Sequence, residues 1–583
     1  MGPAHLEIDK RQPHAHILPF SMKLLPYLHF ITSLLFLPAV IGRGPIVDLG
    51  YAKYQGFVNT SSDASSITTF LGIRYAAPPV GNLRFRAPHP PHYVHGLQQA
   101  TQQPAQCWQA GWSGTSPTSP YHLNTTQNRT SSIRPQNILS PREWTNVTSE
   151  DCLFLSVYYP SDAHGTPPKG KKLPVAVYIH GGGYLAGASS QFRGSDLINE
   201  SNHGLVAVVI QYRLGLLGFL AGSAVKKDGN PNAGLLDQDF AFRWIQKHIS
   251  KFGGNPDHVT IWGESAGGGS VFQQLVANDG KTEPQLFKYA IASSIFAPSQ
   301  YPYDSRIPES NYQQVLAETN CTSLACLRSA PVSALQQANL DINAAGFSGV
   351  CVFVPVIDGD FIRQSPAKAL TEGKVNGEAV LAVANAREGT IFVHPEVPVT
   401  ANLSQYVLEL FPDLAVQPEL AGKIGEMYKD LGTPVDQAVA LYGETIFLCA
   451  TYGLLRAFGG RGFKAQFAIP PGDHGTDLQY YFPSLVIDVP VLNYPQFFNN
   501  TVFINAFAQS FTAFAVSGNP NVKLSDTITP KWGKWNADSR SSMTEMRFNK
   551  TGGDEPDIQT FQTDAGVLQR CRFWDGVAEL TGH

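Results

Sequence analysis

The sequence has few charged residues and no excess of one sign. Only 15% of its 583 residues are Asp, Glu, Lys or Arg, and the formal net charge is -4. A nucleic-acid-binding protein usually carries a basic patch or stripe, which this composition does not provide. We therefore expect no nucleic-acid partner, and the sparing use of Lys and Glu favours a secreted enzyme.

Cysteine is also scarce, and none of the seven cysteines has the spacing of metal ligands. We expect neither a metal nor a cofactor. Cys321 and Cys326 are close enough in sequence to close a small loop, and Cys107 and Cys152 bracket a long irregular segment. An odd number leaves at least one cysteine unpaired within the chain. The pattern assigns no partners to three of them, Cys351, Cys449 and Cys571.

Long apolar runs are absent beyond the N-terminus. Residues 22–42 have a short basic start, an apolar run and small residues at the end, the pattern of a secretory signal peptide. Pro26 and Pro38 interrupt the run, so a membrane-spanning helix is not expected there. We predict that residues 1–42 are an N-terminal extension and signal peptide, with Met22 as an alternative start. No later stretch is expected to span a bilayer.

Frequent Asn-X-Ser/Thr sequons agree with a secreted, extracellular glycoprotein. They occur at Asn59, Asn124, Asn128, Asn146, Asn199, Asn320, Asn402, Asn499 and Asn549.

Patterns of buried strands alternate with helical patterns along the chain. Leu173–Ile179 and Gly204–Ile210 are apolar runs, as expected for parallel strands covered on both faces. Leu235–Phe252 has helical spacing and ends at a pair of glycines. Further strands are predicted at Ile46–Leu49, Tyr54–Phe57, Asp151–Tyr159, Lys288–Ala292 and Ala379–Ala384. The alternation predicts an α/β fold with a large, mostly parallel, doubly wound sheet and helices on both faces. No repeat or linker divides residues 43–583, so we predict a single domain there.

The segment His258–Ser270 carries the strongest functional signal. Its first half reads as a short buried strand, and Gly263–Gly267 fits G-x-S-x-G, the strand-turn-helix elbow that exposes a nucleophilic serine. Ala266–Ala277 is compatible with the helix that should follow. A glycine turn without function is the plain alternative, but the flanking strand and helix favour Ser265 as a nucleophile.

A serine nucleophile needs a base to remove its proton and an acid to orient that base. In a hydrolase with this elbow the chain order is serine, acid, histidine. Only His394, His474 and His583 lie beyond an acid placed well after Ser265. His583 is the last residue and is expected to fray, and His394 follows the same strand as the best acid. The order therefore favours His474, which lies in a turn-rich loop.

Glu388 is the best acid because it follows the predicted strand Ala379–Ala384. The carboxyl ends of parallel strands are where open α/β sheets place their sites. The plain alternative is a solvated loop glutamate paired with Arg387. Asp358 is the second choice, although Asp-Gly is more often only a turn.

The segment His180–Gly183 follows a buried strand and matches the H-G-G-G pattern of an oxyanion hole. Its donors would be the backbone N–H groups of Gly182, Gly183 and Ala266. A phosphate-binding loop is excluded because no Lys-Ser/Thr follows the glycines.

Taken together, these motifs resemble the type-B carboxylesterase/lipase family, which includes cholinesterases and fungal lipases. The resemblance rests on Glu150–Val157, His180–Gly183, Phe252–Pro256 and Gly263–Gly268, with Phe70–Pro88 and Phe514–Asn521 in support. It implies an α/β-hydrolase fold and a triad of Ser265, Glu388 and His474. It also implies one disulfide, Cys107–Cys152, that closes a lid loop at about 107–152, and a second, Cys321–Cys326.

At one position the chain departs from the family pattern. The family usually has an acidic residue before the catalytic glutamate, where this chain has Arg387. A cation there is expected to compete for Glu388.

The predicted lid points to a soluble esterase. The family's lipases meet lipid surfaces with an apolar lid, whereas the segment between Cys107 and Cys152 is polar and rich in sequons. We therefore predict a serine carboxylic-ester hydrolase that acts through an acyl-enzyme on small to medium esters, with Tyr184 and Phe296 lining the substrate pocket. The alternatives are a triacylglycerol lipase or sterol esterase and, less favoured, a non-catalytic binding protein of the cholinesterase type.

Overall fold

A computed structural model of the protein describes residues 44–60, 66–122, 147–170, 172–394, 402–485 and 497–583. The predicted extension and signal peptide, the sequons at Asn124, Asn128 and Asn146, and the middle of the predicted lid lie outside the described residues. Arg43–His583 forms one unit by its internal contacts.

The strands build one large sheet and two small ones. They are β1 (Ile46–Asp48), β2 (Lys53–Gln55), β3 (Phe57–Thr60), β4 (Ser66–Arg74), β5 (Leu97–Gln99), β6 (Gln106–Cys107), β7 (Thr148–Ser149), β8 (Phe154–Ser161), β9 (Leu173–Ile179), β10 (Val206–Ile210), β11 (Gly254–Glu264), β12 (Tyr289–Ser293), β13 (Ala379–Asn385), β14 (Gly462–Phe467), β15 (Thr544–Lys550) and β16 (Pro556–Gln562).

The large sheet has eleven strands in the order β16-β15-β14-β13-β12-β11-β9-β10-β8-β4-β3. The run from β10 to β15 is parallel. At the margins, β16 on one side and β8, β4 and β3 on the other pair antiparallel. The parallel centre means that several loops leave the sheet at the same edge, the carboxyl ends of its strands.

Helices occupy most of the connections between these strands. They are α1 (Gly194–Glu200), α2 (Gly215–Phe219), α3 (Ser223–Asp228), α4 (Ala233–His248), α5 (Ala266–Val276), α6 (Arg306–Glu318), α7 (Leu324–Ser329), α8 (Val332–Ala344), α9 (Pro366–Thr371), α10 (Leu403–Leu410), α11 (Pro418–Tyr428), α12 (Pro434–Gly443), α13 (Cys449–Ala457), α14 (Leu478–Tyr481), α15 (Thr501–Ser517), α16 (Ala565–Gly576) and α17 (Ala578–Thr581).

The central strand β9 shows how the sheet is covered. Val175, Val177 and Ile179 pack into one apolar cluster, and Ala176 and Tyr178 pack into another. Successive side chains of a strand point to opposite faces, so the clusters lie on the two faces of the sheet. Residues of α4 and α5 belong to the first cluster, and residues of α1 and α15 to the second. The predicted sheet with helices on both faces is confirmed.

Most predicted strands form with ends shifted by a few residues, although Tyr54–Phe57 divides between β2 and β3. The short strands β5, β6 and β7 and the strands β14, β15 and β16 were not predicted. In β14 a lysine, Lys464, interrupts the apolar run expected of a buried parallel strand, although its side chain is almost fully buried. Its ammonium lies 3.3 Å from a carboxylate oxygen of Glu545 on β15. A buried charge is tolerated when it is paired, and this pairing cannot be seen along one strand.

Three disulfides join described cysteines. Cys107–Cys152 and Cys321–Cys326 form as the resemblance implied. The third bridge joins Cys449 on α13 to Cys571 on α16. Cys351 is a buried free thiol.

One described segment, Pro434–Ala457, has the length and hydropathy of a membrane span, contrary to the expectation from the sequence. It consists of α12, a π-helical turn and α13. Its most apolar window is 78% buried inside the protein. The segment is therefore a helix of the protein core, and its apolar residues are buried against the rest of the protein.

Candidate active site

Ser265 lies at the sharp turn between β11 and α5. Its φ of 57° and ψ of -124° are strained for a residue with a side chain. A Cβ at Gly263 would stand 2.3 Å from the Gly267 carbonyl carbon, and a Cβ at Gly267 would stand 2.0 Å from the Ile179 oxygen. Both glycines of the predicted elbow are therefore needed for strand and helix to pass each other.

The structure brings Ser265, His474 and Glu388 together. The Nε2 atom of His474 lies 2.8 Å from Ser265 Oγ, and its Nδ1 atom lies 2.6 Å from an oxygen of Glu388. All three side chains are buried. Ser265 follows β11, Glu388 follows β13 and His474 lies in the loop after β14, so the sheet positions all three at its carboxyl edge.

The Glu388 carboxylate is held on both oxygens. The oxygen that does not face His474 accepts hydrogen bonds from the Ser294 hydroxyl at 2.8 Å and from the Asn385 N–H at 2.6 Å. Arg387 points outward and is exposed. No ion pair joins Arg387 to Glu388 in the described structure, so the predicted competition by this cation is absent.

The other acid and histidines considered from the sequence lie elsewhere. Asp358 is buried, and one of its oxygens accepts N–H bonds from residues 360–362, which makes it the anchor of a turn. His394 is exposed. The expectation that His583 frays was wrong, because its ring packs edge-on against Phe411 and its carbonyl accepts a hydrogen bond from Ser365.

The glycine loop after β9 lies against the nucleophile. A Cβ at Gly181 would be 3.0 Å from the Cβ of Ser265. Gly182 and Gly183 have φ values of 105° and 65°. Within the described residues, no backbone acceptor pairs with the N–H groups of Gly182 and Gly183. The N–H of Ala266 begins α5, where intrahelical partners are lacking. The three N–H groups therefore remain candidate oxyanion donors.

Two buried carboxylates that the sequence did not reveal flank the triad. An oxygen of Glu264 lies 3.4 Å from His474 Nε2. Asp477 accepts hydrogen bonds from Asn385 at 3.1 Å and from Tyr481 at 2.9 Å. Glu264 is the second residue of the elbow motif and Asp477 follows His474 closely, but only the fold shows that both are buried.

This crowding changes the acidity of the buried groups. Burial raises the pKa of Glu264 to about 8, against the opposing effect of His474. Burial likewise raises the pKa of Asp477 to about 6. For His474, burial lowers the pKa, but the charges of Glu388 and Glu264 raise it, and the resulting pKa lies above the ordinary histidine value. The imidazole of His474 therefore holds its proton more strongly in this site than a histidine in water does.

Aromatic rings fix the imidazole from the side. Phe392 packs edge-on against His474 with ring centres 5.1 Å apart, and Phe447 lies 4.7 Å away. Both rings exclude water from one side of the base.

A mostly apolar cavity approaches the site through Phe296, although none of the three triad residues lines it. Phe296 lines it and donates its N–H to the carbonyl of Ser265 at 3.2 Å. Cys351 lines it too, and its sulfur would stand 2.8 Å from a Cβ at Gly183. Tyr184, which we expected with Phe296 at the pocket wall, is fully buried, with its ring centre 6.0 Å from that of Phe296.

A family model for the carboxylesterase family matches residues 43–574. The chain belongs to the carboxylesterase family. Among its relatives, carboxylesterase patB of Aspergillus clavatus is 33% identical over 527 residues, which covers 84% of this chain and 92% of that protein. Lipase 4 of Diutina rugosa is 30% identical over 565 residues, which cover 91% of this chain and 95% of that protein. Secreted lipase 1 of Botryotinia fuckeliana is 33% identical over 392 residues, which cover 64% of this chain and 65% of that protein.

Solved structures agree with this assignment. The crystal structure of Aspergillus niger EstA matches with a TM-score of 0.75 at 28% identity and covers 93% of this chain and 99% of that chain. The fold is therefore that of the α/β-hydrolases, as the resemblance implied. Family membership and these relatives support carboxylic-ester hydrolysis as the reaction of this carboxylesterase-family chain.

Proposed function

We propose that the protein is a secreted serine carboxylic-ester hydrolase that acts through an acyl-enzyme on small to medium esters. The observation that carries the proposal is the continuous hydrogen-bond chain from Ser265 Oγ through His474 to Glu388. A hydroxyl becomes a competent nucleophile when a base is oriented in this way. We further propose that residues 43–583 act as one catalytic domain.

In the first half of the reaction, His474 Nε2 takes the proton of Ser265 as Oγ bonds to the ester carbonyl carbon. The carbonyl oxygen becomes an oxyanion that accepts from the N–H groups of Gly182, Gly183 and Ala266. Donors held ready for developing charge lower the barrier, and one side-chain donor in a protease is worth about 3 kcal/mol. The intermediate then expels the alcohol, which takes the proton from His474.

In the second half, a water molecule loses a proton to His474 Nε2 and attacks the acyl carbon. The same donors hold the second oxyanion. Ser265 leaves with the proton from His474, and the carboxylic acid is released. Glu388 holds the imidazole ring in place and stabilises its cationic form in both halves.

The polar segment between Cys107 and Cys152 supports a soluble esterase over a lipase. Apolar side chains exposed to water favour contact with a lipid surface, and this segment is rich in Ser, Thr, Pro and Asn. Trp112 at its described base is nevertheless 53% exposed. Because some relatives are named lipases, triacylglycerol lipase is the second candidate function.

Secretion and glycosylation are supported by three independent features. The sequence has a signal-peptide pattern and many sequons. The structure has three disulfides, which persist in oxidising compartments. Some relatives are named secreted lipases.

The test is hydrolysis of p-nitrophenyl esters from acetate to palmitate by the wild type and by Ser265→Ala. We expect fast turnover of short and medium chains that the substitution abolishes. A preference for long chains that rises above the solubility limit of the substrate would make the protein a lipase.

A non-catalytic binding protein is the remaining alternative, and labelling tests it. A fluorophosphonate probe should label the wild type and spare Ser265→Ala. An unlabelled wild type without ester turnover would contradict the proposed enzyme.

A further inference from the structure

A π-helical turn, Glu444–Leu448, joins α12 to α13 beside the triad. In this wide turn the N–H of Cys449 bonds back to the carbonyl of Glu444, five residues earlier. The first four residues of the turn are buried. A π-helical turn inserted between α-helices is rare and is frequently found at a functional site. The contacts of this turn therefore bear on the reaction.

The turn places the ring of Phe447 against the base of the triad. Phe447 is fully buried, and the centres of its ring and the His474 ring are 4.7 Å apart. The Phe392 ring packs on both, 5.5 Å from Phe447 and 5.1 Å from His474. An imidazole enclosed by close-packed rings keeps one orientation, because the protein interior leaves no space for it to swing. The position of Phe447 therefore affects how well His474 is aligned.

The same helical segment also reaches the other two members of the triad. The carbonyl of Ile446 accepts a 2.9 Å hydrogen bond from the N–H of Ala297, which follows the residue that bonds to the Ser265 carbonyl. Gly443 directly precedes the turn, and a Cβ added to it would stand 3.6 Å from the Cβ of Glu388. A displacement of this segment would thus be felt at all three catalytic side chains.

A buried ion pair holds the turn from the side away from the triad. Arg570 on α16 donates from two nitrogens to the two oxygens of Glu444, at 2.6 and 2.7 Å. Glu444 also accepts a hydrogen bond from the Tyr428 hydroxyl at 2.8 Å. The side chains of Arg570 and Glu444 are only 16% and 5% exposed. A two-pronged pair between an arginine and a carboxylate fixes the geometry of both groups.

A second ion pair joins α16 to α13 but does not involve the turn. Arg456 donates to Asp575 at 2.7 Å, and these side chains are 34% and 43% exposed. The Cys449–Cys571 disulfide attaches α16 to the residue directly after the turn. Loss of the Arg456 pair should therefore loosen α16 without moving the turn, whereas loss of the Arg570 pair should release the first residue of the turn.

We propose that Arg570 is a positioning residue for ester hydrolysis. Its ion pair with Glu444 fixes the π-helical turn, and the turn keeps Phe447 against His474. Helix α16 thereby sets the alignment of the catalytic base through two layers of contacts, although Arg570 itself pairs with Glu444 and the Tyr428 ring rather than with the triad. This inference rests on the proposed serine esterase function.

The first experiment compares Arg570→Gln with Arg456→Gln on p-nitrophenyl butanoate. Arg570→Gln should lower kcat by about ten- to hundredfold with little change in KM, because a small misplacement of a catalytic group has an effect of this size. Arg456→Gln removes the other ion pair and should keep the kcat of the wild type. Arg570→Lys retains the charge and one hydrogen bond to Glu444, so it should recover part of the lost kcat.

The pH profile of kcat/KM separates misplacement of the base from simple loss of a charge. An imidazole that moves away from Glu388 loses the attraction that raises its pKa, so the acid limb of Arg570→Gln should move to lower pH. Removal of a positive charge without any movement would shift the limb in the opposite direction. Glu388, Glu264 and Asp477, the acidic groups near His474, are the same in all these variants.

Phe447→Leu tests the last contact of this chain directly. Leucine is apolar and fills part of the same space, but it lacks the flat ring that packs on His474. It should lower kcat and move the acid limb in the same direction as Arg570→Gln. Thermal unfolding of each variant verifies that it is folded, and Arg570→Lys together with Phe447→Leu decides the matter if Arg570→Gln does not fold.

Three outcomes would contradict the inference. They are a folded Arg570→Gln or Phe447→Leu variant with the kcat of the wild type, equal losses of kcat in Arg570→Gln and Arg456→Gln, and an acid limb that stays in place or moves to higher pH. In each of these, Ser265-dependent hydrolysis by the wild type would still stand. Absence of that hydrolysis would instead overturn the proposed function.

Discussion

At the scale of single residues, His474 lies between two buried carboxyl groups, one more than a triad requires. Glu388 contacts one nitrogen of the ring and Glu264 lies near the other. The charge of Glu388, and that of Glu264 when it is ionised, raises the pKa of His474. The base must be neutral to accept a proton, so kcat/KM should rise with pH through a pKa above the usual histidine value.

Glu264→Gln tests this charge balance. Because burial raises the pKa of Glu264 to about 8, this carboxyl is largely protonated where His474 titrates, and replacing it with neutral glutamine should leave the acid limb of the kcat/KM profile almost in place. The profile is measured with a small ester, and the exposed surface change Glu378→Gln serves as control. An acid limb that moves to lower pH in Glu264→Gln would show that Glu264 is ionised beside His474 and raises its pKa.

Glu388→Gln tests the acid of the triad. An amide cannot hold the imidazole in the required tautomer or stabilise its cation, so kcat should fall by about 10³- to 10⁴-fold. Asp358→Asn is the matched control, since it changes a buried acid that anchors a turn and accepts a hydrogen bond from Asn232 but belongs to no triad contact. It should lower the melting temperature and preserve kcat. Similar kcat values for the two variants would show that Glu388 is not the acid of the triad.

Single residues also show what a sequence can reveal about a site. Ser265 lies in a local motif, the position after a predicted strand favours Glu388, and chain order then favours His474. Glu264 and Asp477 escaped prediction because a carboxylate perturbs its neighbours only when the fold removes it from water. His583 was misjudged because a terminal residue is ordered when its side chain finds a packing partner, here Phe411.

At the scale of elements, the elbow depends on backbone contact between β9, β11 and α5. Gly267→Ala would place a Cβ 2.0 Å from the Ile179 oxygen, and backbone cannot yield as a side chain can. We expect a loss of about 3 kcal/mol or more in the free energy of unfolding, together with loss of activity.

Gly422→Ala is the matched control on α11. No atom lies within 4 Å of its added Cβ, and its helical backbone suits alanine. It should stabilise the protein by about 0.5–1 kcal/mol. Urea unfolding of both variants measures the difference, and equal midpoints would contradict the close-packed elbow.

A strand could be predicted from the sequence where its own residues indicate how it is buried. The continuous apolar run of β9, for example, indicates a strand that is covered on both faces. Burial of β14 depends on the pairing of Lys464 with Glu545, which lie on different strands far apart in sequence. A pattern within one segment cannot report such a contact.

At the scale of the whole molecule, the Cys449–Cys571 bridge closes a loop with a sequence separation of 122, against 5 for Cys321–Cys326. By loop entropy, the long bridge should contribute about 5 kcal/mol and the short one about 2 kcal/mol. The double variant Cys449→Ser/Cys571→Ser should therefore unfold at lower urea than Cys321→Ser/Cys326→Ser. The reverse order would show that these bridges do not act through the unfolded chain.

The long bridge also marks the limit of reading a sequence alone. Cys321 and Cys326 are close in the chain, so their pairing has a local basis. Cys449 and Cys571 meet only because α13 and α16 pack together. Such partners are set by topology, which the spacing of cysteines does not specify.

The distance along the chain between the triad residues has a consequence for refolding. Ser265 and His474 are separated by 209 positions, and their contact forms only when β11 and β14 share one sheet. Contacts between distant segments form late because closing long loops costs entropy. During refolding from urea, helical circular dichroism should return before esterase activity does. Recovered turnover would then report that the central sheet has assembled in its correct strand order.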